Sequence, residues 1–470
     1  MPGRRASQLA GITGGVLLLA AGGAWLLLSR PAVHIRASSP VLVTSNRSAA
    51  SLIEAHNTPS LAVDPANGRH LVLAERIDRP RFGCRLHVST DAGATWTVSS
   101  VPLPAGKDTC FIPDVAFVGR TIYLVYLTLN THPHDPLSGG NDPNGMYLER
   151  STDGGQTFGA PLDLNGHDNL QPRLAADQRS GRLYITYVKG SPLQNDTPLG
   201  FGPPPNPIMV ISSTDGVRFT DPVQVNDPHR LRVAAPTPEV APNGELFVLY
   251  QDYEQDLDDY NNRAVPYHGK FSLVLARSSD RGRSFTQTVV DNQQVRSHRF
   301  LIYLPPFPAL AIAPDGRHVY AAWSDARDGA PDVFLRPSDD GGKTWKDAQK
   351  INRRPSGVPA NFELPALDAP GPNRVDAIFY AITGSKPRNE LQFTTSTDGG
   401  AHFESPVRIS KTFDATVGVG SARDIGRVDW GAHLALVSGP HGAFAAWSDS
   451  SQGNQDTQRQ DIFFATISVR

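Results

Sequence analysis

The feature that most constrains this 470-residue chain is a short phrase that it repeats. STDAGATW begins at Ser89, STDGGQTF at Ser151, a shortened STDGVRF at Ser213, SSDRGRSF at Ser278, SDDGGKTW at Ser338 and STDGGAHF at Ser396. Copies roughly 60 residues apart mark a repeat architecture rather than a string of unrelated domains. Each copy joins a carboxylate, one or two glycines and a large aromatic within β-prone sequence. That combination predicts a hairpin whose Asp accepts hydrogen bonds from turn amides, whose Gly takes positive φ and whose aromatic packs inward. Nothing in the phrase requires a ligand, so it speaks for fold and not for chemistry.

The same order of elements returns around each copy. An inner strand opens after a proline in TPSLAV from Thr58, IPDVAF from Ile112, QPRLAA from Gln171, TPEVAP from Thr237, FPALAI from Phe307 and LPALDA from Leu364, and without one in GAHLAL from Gly431. A second strand follows (HLVLAE, TIYLVY, ELFVLY), a third runs into the phrase and a fourth leaves it. The seventh unit ends with DIFFATISV and has no fourth strand, whereas PVLVTSN, Pro40 to Asn46, reads as a fourth strand with no first three. The pattern predicts an all-β, seven-bladed β-propeller whose ring is closed by the N-terminal strand, an arrangement that removes an exposed sheet edge. The abundance of turn formers, 42 Gly and 40 Pro, suits many short strands.

Residues 1–37 are of different material. Arg4 and Arg5 precede an apolar run of about 20 residues, long enough as one hydrophobic helix to span a bilayer. It reads as a retained anchor or a removed signal, followed by a linker near Arg36 to Pro40, with the propeller over residues 38–470. By charge the body then lies outside the cytoplasm, at the cell membrane as a single-pass protein or secreted. A net charge of −2 gives no nucleic-acid-binding surface. A monomer is expected, with membrane contact through the N-terminal helix. The two cysteines, Cys84 and Cys110, fall at the same end of neighbouring blades and predict one disulfide.

The position after each inner-strand proline varies in chemistry while its neighbours stay aliphatic or small. It reads Ser60, Asp114, Arg173, Glu239, Ala309, Ala366 and His433, and these residues are expected to ring one mouth of the channel. An ion-pair network and a binding site both explain the Asp, Arg and Glu of three consecutive blades. Asp368 interrupts the row of small residues that follows. The same mouth receives the long loops 127–145, 189–207 and 251–270 and the junction 291–304, where function usually concentrates. No cofactor is required. Calcium is possible at the acidic stretch with Asp252, Asp256 and Asp258, although that stretch lacks the spacing of a recognised calcium loop. In WSDARDG and WSDSSQG, Trp323 and Trp447 either stack on a sugar or fill their blades, and Asp325 and Asp449 cap loops.

The repeated phrases, AERID from Ala74 to Asp78 and the closing HLALVSGPHGAFAAWSD together resemble the sialidase-like superfamily, also called BNR or Asp-box repeat proteins, in particular secreted bacterial sialidase-family members. The resemblance covers nearly everything after Pro40. It implies an extracytoplasmic ligand such as a glycan and a glycoside hydrolase activity, carried in sialidases by six blades, three arginines on the substrate carboxylate, a Tyr–Glu nucleophile pair and an Asp acid/base. Where the family has its first arginine this chain has Asn57, Thr58 and Pro59, so that arginine is absent. Asp78 stands where the acid/base belongs, with Arg76 beside it. Arg173, Arg299 and Tyr303 are candidates by location, Arg173 being the first choice for an anion contact. Asp114 and Glu239 are the candidate acid–base pair of a non-standard site, and His433 a further ligand contact. The alternative is a non-catalytic scaffold that recognises a glycan or protein at the cell envelope.

Overall fold

Seven antiparallel sheets of four or five strands succeed one another along the chain, six of them with strands in sequence order from inside to outside and the last with outer strands supplied from the N-terminal segment. The computed structural model describes residues 33–45, 54–79, 81–129, 131–132, 135–139, 145–191, 202–254, 271–295, 307–386, 388–418 and 430–470. One compact unit covers His34–Arg470. Its inner strands are Ala55–Asp64, Phe111–Val118, Asn169–Asp177, Val233–Val240, Ala309–Ile312, Ala360–Gly371 and Ala435–Gly439, one for each of blades 1 to 7. This is a seven-bladed β-propeller. Among the described residues no helix is long and apolar enough to cross a membrane, and the expected N-terminal helix lies outside them.

Blade 7 is closed from the other end of the chain, as the orphan strand predicts. Val41 and Leu42 pair with Phe464 and Phe463. Ile35–Ala37 adds a further pairing with Ile467–Val469, so Arg36 and Ala37, read from sequence as linker, belong to the sheet. The reason is register: the long last strand, Asp461–Val469, offers more edge than one short strand can cover. Val43 is buried beyond it, and Thr44 Oγ1 donates to Asp461 Oδ1 at 2.7 Å.

The repeated turns share one hydrogen-bond scheme. In the first, Ser89 Oγ donates to Asp91 Oδ1 (2.8 Å) and accepts from Gly93 N (2.9 Å), while Asp91 accepts from Thr95 N (2.9 Å) and Thr95 Oγ1 (2.7 Å). Asp153, Asp280, Asp340 and Asp398 repeat it, and Asp215 does so in shortened form. Gly93 shows why glycine is demanded: its φ is +84° and a Cβ would lie 2.1 Å from the Phe464 ring. The turn aromatics pack into the blades, Trp96 edge-on to Phe464 at 5.2 Å.

Five inner strands carry a bulge near their start, seen as a register shift between Asn57 and Ser60, Phe111 and Asp114, Leu170 and Arg173, Ala234 and Thr237, and Glu363 and Ala366. The residue before proline takes positive φ there: Thr58, Ile112, Gln171, Ala235 and Leu364. The blade 4 bulge is therefore built on Pro236, not on Pro238 as the repeat pattern reads. Thr237 is the equivalent of Arg173, and Glu239 sits two residues further along its strand.

The candidate lumen site

That shift divides the lumen wall into two layers. Residues i and i+2 of a strand face the same side. The first layer is Ser60, Asp114, Arg173, Thr237, Ala309, Ala366 and His433; the second is Ala62, Ala116, Ala175, Glu239, Ala311, Asp368 and Ala435. All seven residues expected to ring the channel line a cavity of about 300 Å³, with Thr237, Asp368 and Phe307. In sequence Asp368 is only an exception in a row of small residues. In the fold it is the layer-mate of Glu239.

Each charged group here has a distinct state. Asp114 is fully engaged: Oδ1 accepts from Ser60 Oγ at 2.5 Å, and Oδ2 accepts from Leu174 N at 2.8 Å and lies 3.2 Å from Arg173 Nε. The Arg173 guanidinium lies 5.6 Å from the Phe307 ring centroid, and its Nη1 is buried without a hydrogen-bond partner. Asp368 accepts from Ala369 N (2.7 Å) and Ser438 N (2.5 Å); burial nevertheless raises its pKa to about 6. Glu239 receives no hydrogen bond among the described residues. Enclosure by the lumen wall and the nearby charge of Asp368 push its pKa up to about 8 against the pull of Arg173. The side chain is nonetheless exposed to lumen water, which tempers the push; what matters is its direction, toward holding a proton.

His433 is 7% exposed and stands edge-on to Phe307 at 5.8 Å. It hydrogen-bonds the Pro59 backbone, which has only a carbonyl to offer, and its Nε2 has no partner. Nδ1 therefore carries the proton and Nε2 presents a lone pair. Burial first, then the charges of Arg173 and Arg76, hold its pKa well below 6.5, so the ring is neutral.

Other sequence candidates fall elsewhere. Arg76 and Asp78 do not line the lumen cavity; Arg76 donates to Asp78 through Nε (2.7 Å) and Nη2 (3.0 Å), lies 4.7 Å from the Phe111 ring centroid, and Asp78 also accepts from Asn57 Nδ2 at 2.7 Å. Asp252 is buried, ion-paired with Arg230 and bonded by Glu254 N. Asp256, Asp258, Arg299 and Tyr303 lie outside the described residues. Among the described residues no group of three or more His, Cys, Asp or Glu side chains is placed to hold a metal ion. Trp323 and Trp447 are buried in their blades, each donating Nε1 to its own loop-capping aspartate, Asp325 (2.7 Å) or Asp449 (3.1 Å). Cys84 and Cys110 form a disulfide with Cα atoms 5.3 Å apart.

Neither a protein-family model nor a curated protein sequence matches this chain. Solved structures do match. A protein of unknown function from Dyadobacter fermentans has a TM-score of 0.50 at 15% identity, over 93% of this chain and 99% of its own. A Hadza microbial sialidase has 0.44 at 17%, over 70% and 65%. The GH93 alpha-L-arabinofuranosidase of Fusarium graminearum, solved with arabinobiose, has 0.44 at 13%, over 73% and 92%. The Dyadobacter protein shares its fold with this chain over nearly the whole length of both. At these identities the likeness is one of fold alone.

Proposed function

We propose that this protein is an extracytoplasmic sialidase-like propeller that binds a glycan at its lumen mouth, with the equipment of a glycoside hydrolase of non-standard site. One observation carries the proposal: two carboxyls, Asp368 bonded by two backbone amides and Glu239 by none, share a layer of the cavity with Arg173 and His433 just above, and burial pushes Glu239 further toward holding a proton. Glycoside hydrolysis needs such a pair, one group protonated to assist the leaving oxygen and one ionised as base or nucleophile. Glu239 takes the first role. Asp368 takes the second in place of Asp114, whose oxygens are already occupied. The N-terminal apolar segment serves as anchor or export signal, the body is a monomer, and neither nucleic acid nor a cofactor is called for.

A second reading, binding without turnover, is favoured by the engagement of Asp78 with Arg76 and Asn57, since the resemblance would make Asp78 the acid/base. One experiment separates the two: a glycan screen of the full-length protein scoring binding and released sugar together. Release that Glu239→Gln and Asp368→Asn each abolish supports the hydrolase. Binding without release leaves the scaffold, and neither signal removes the glycan proposal.

A further inference from the structure

The lumen's charge and hydrogen-bonding pattern bear on which sugars it accepts. Across its two layers Arg173 is the only basic side chain of fixed charge, and Asp114 already neutralises it. His433 contributes no charge. Asp368 adds a carboxylate at neutral pH, and Glu239 adds a second once it loses its proton. A ligand carboxylate entering here meets no uncommitted positive charge and at least one like charge, an arrangement that costs binding energy in a walled site.

Hydroxyl groups meet the opposite situation. His433 Nε2 is a buried acceptor with no donor, and Arg173 Nη1 a buried donor with no acceptor. Each unpaired group carries a desolvation cost that a suitable ligand removes. Protonated Glu239 both donates and accepts, and Phe307 supplies an apolar wall beside both Arg173 and His433. A sugar hydroxyl donates to one partner and accepts from another, while the sugar's C–H faces suit an aromatic wall.

We infer that the lumen selects a neutral sugar unit, its hydroxyls bridging His433 Nε2 and Arg173 Nη1 against Phe307, and rejects an acidic one. The inference rests on the glycan proposal and narrows it. Glu239 makes the selection pH-dependent: once ionised it ceases to donate and adds a like charge to the wall.

The test is equilibrium binding of the full-length protein to matched oligosaccharides ending in a neutral hexose, a neutral pentose, a uronic acid or a sialic acid, at pH 6 and pH 9. The neutral termini should bind at least about tenfold more tightly than the acidic ones, the price of one missing or mismatched charged contact. Wild-type affinity should fall at pH 9, and Glu239→Gln, which keeps a donor and an acceptor without a charge, should lose that fall. His433→Ala should weaken binding about tenfold; Glu239→Gln keeps the test open if that variant does not fold. Equal or tighter binding of the acidic termini overturns the inference while leaving the glycan proposal intact. Neutral binding indifferent to both substitutions also overturns it, by moving the site out of the lumen. Binding of none of the probes overturns the inference and the proposal together.

Discussion

The junction of blades 7 and 1 and the lumen both gather charged groups, and they treat one glutamate each, Glu75 and Glu239, in opposite ways. At the junction Glu75 sits fully buried with both oxygens occupied, by His56 Nδ1 at 2.8 Å and His87 Nε2 at 2.9 Å, while His56 Nε2 reaches Glu54 at 3.1 Å. The backbone there is stitched across the ring closure, with Ser448 Oγ donating to the His56 carbonyl and Gln460 N to that of Glu54. In the lumen Glu239 has no such partner; polar atoms of Arg173 and His433 are left unanswered there, as His87 Nδ1 is at the junction, so the contrast lies in the two carboxyls. Burial raises the cost of every charge, so where a fold needs charges for its own stability it pairs them. Groups left poised are better explained by something that arrives later.

The largest effect that can test this contrast is on the closure itself. Deleting residues 1–45 removes both pairings with the last strand, the buried Val43 and the Thr44–Asp461 hydrogen bond. Apolar burial and hydrogen bonding of that extent amount to on the order of 5 kcal/mol, so thermal unfolding should shift sharply downward and lose cooperativity. An unchanged midpoint would show that the ring does not depend on its N-terminal strand.

Next comes the buried junction network. Glu75→Gln removes the charge that holds His56, and breaking a buried pair from one side costs about 3–5 kcal/mol. The pH dependence has a worked sign. Burial works against the Glu75 carboxylate, but His56 and His87 outweigh it and lower its pKa from 4.5 to about 2. Its contribution is present above pH 4.5 and lost as pH falls through about 2. Burial likewise opposes the charge on His56, yet Glu75 and Glu54 raise its pKa above 6.5, so its contribution is complete below 6.5 and lost as pH rises through the raised value. Wild type should therefore exceed His56→Ala by the widest margin between about pH 4.5 and 6.5, read from melting midpoints across a pH series. A margin that keeps growing toward pH 9 would contradict the charged pair.

Removing the disulfide should cost somewhat less. The bridge spans 26 residues between blades 1 and 2 and closes a loop worth about 3 kcal/mol in the chain-entropy account. Denatured, unreduced protein should show no alkylatable thiol, and Cys84→Ser with Cys110→Ser should melt lower without loss of ligand binding at the lumen. Two reactive thiols in the unreduced protein would count against the bond.

How far such a contrast can be read in advance depends on what repeats. The turns, the blade number and the orphan strand were legible because each recurs in a fixed chemical form, and a missing fourth strand at one end of the chain matches a spare one at the other. The lumen residues were legible as positions, since the site after each proline alone varies. Their partnership was not. In AAPTPEVAP two prolines stand two residues apart, Pro236 and Pro238, and only the folded backbone, through the register shift at Ala234–Thr237 and the positive φ of Ala235, shows which one carries the bulge. Counted from the second, Glu239 stands beside Arg173 and its kinship with Asp368 is hidden. The junction network was invisible for another reason: Glu54, His56, Glu75 and His87 lie on three strand segments with no shared spacing, and only the pairing of those segments brings them together.

The smallest effect on stability, and the one that most sharpens the contrast, belongs to Glu239→Gln. An acid whose folded pKa is raised opposes folding once pH exceeds its unfolded value, because the unfolded chain can ionise and the folded one resists. For Glu239 that opposition begins near pH 4.5 and is complete above about 8. The Gln variant should thus match wild type at pH 4 and melt slightly higher at pH 8, by less than about 1 kcal/mol because lumen water screens the charge. Glu75→Gln, the same substitution at the junction, should go the other way and destabilise throughout that range. If both lowered stability alike at pH 8, Glu239 would be a structural charge with a partner, and the lumen would lose its claim to be the site held open for a ligand.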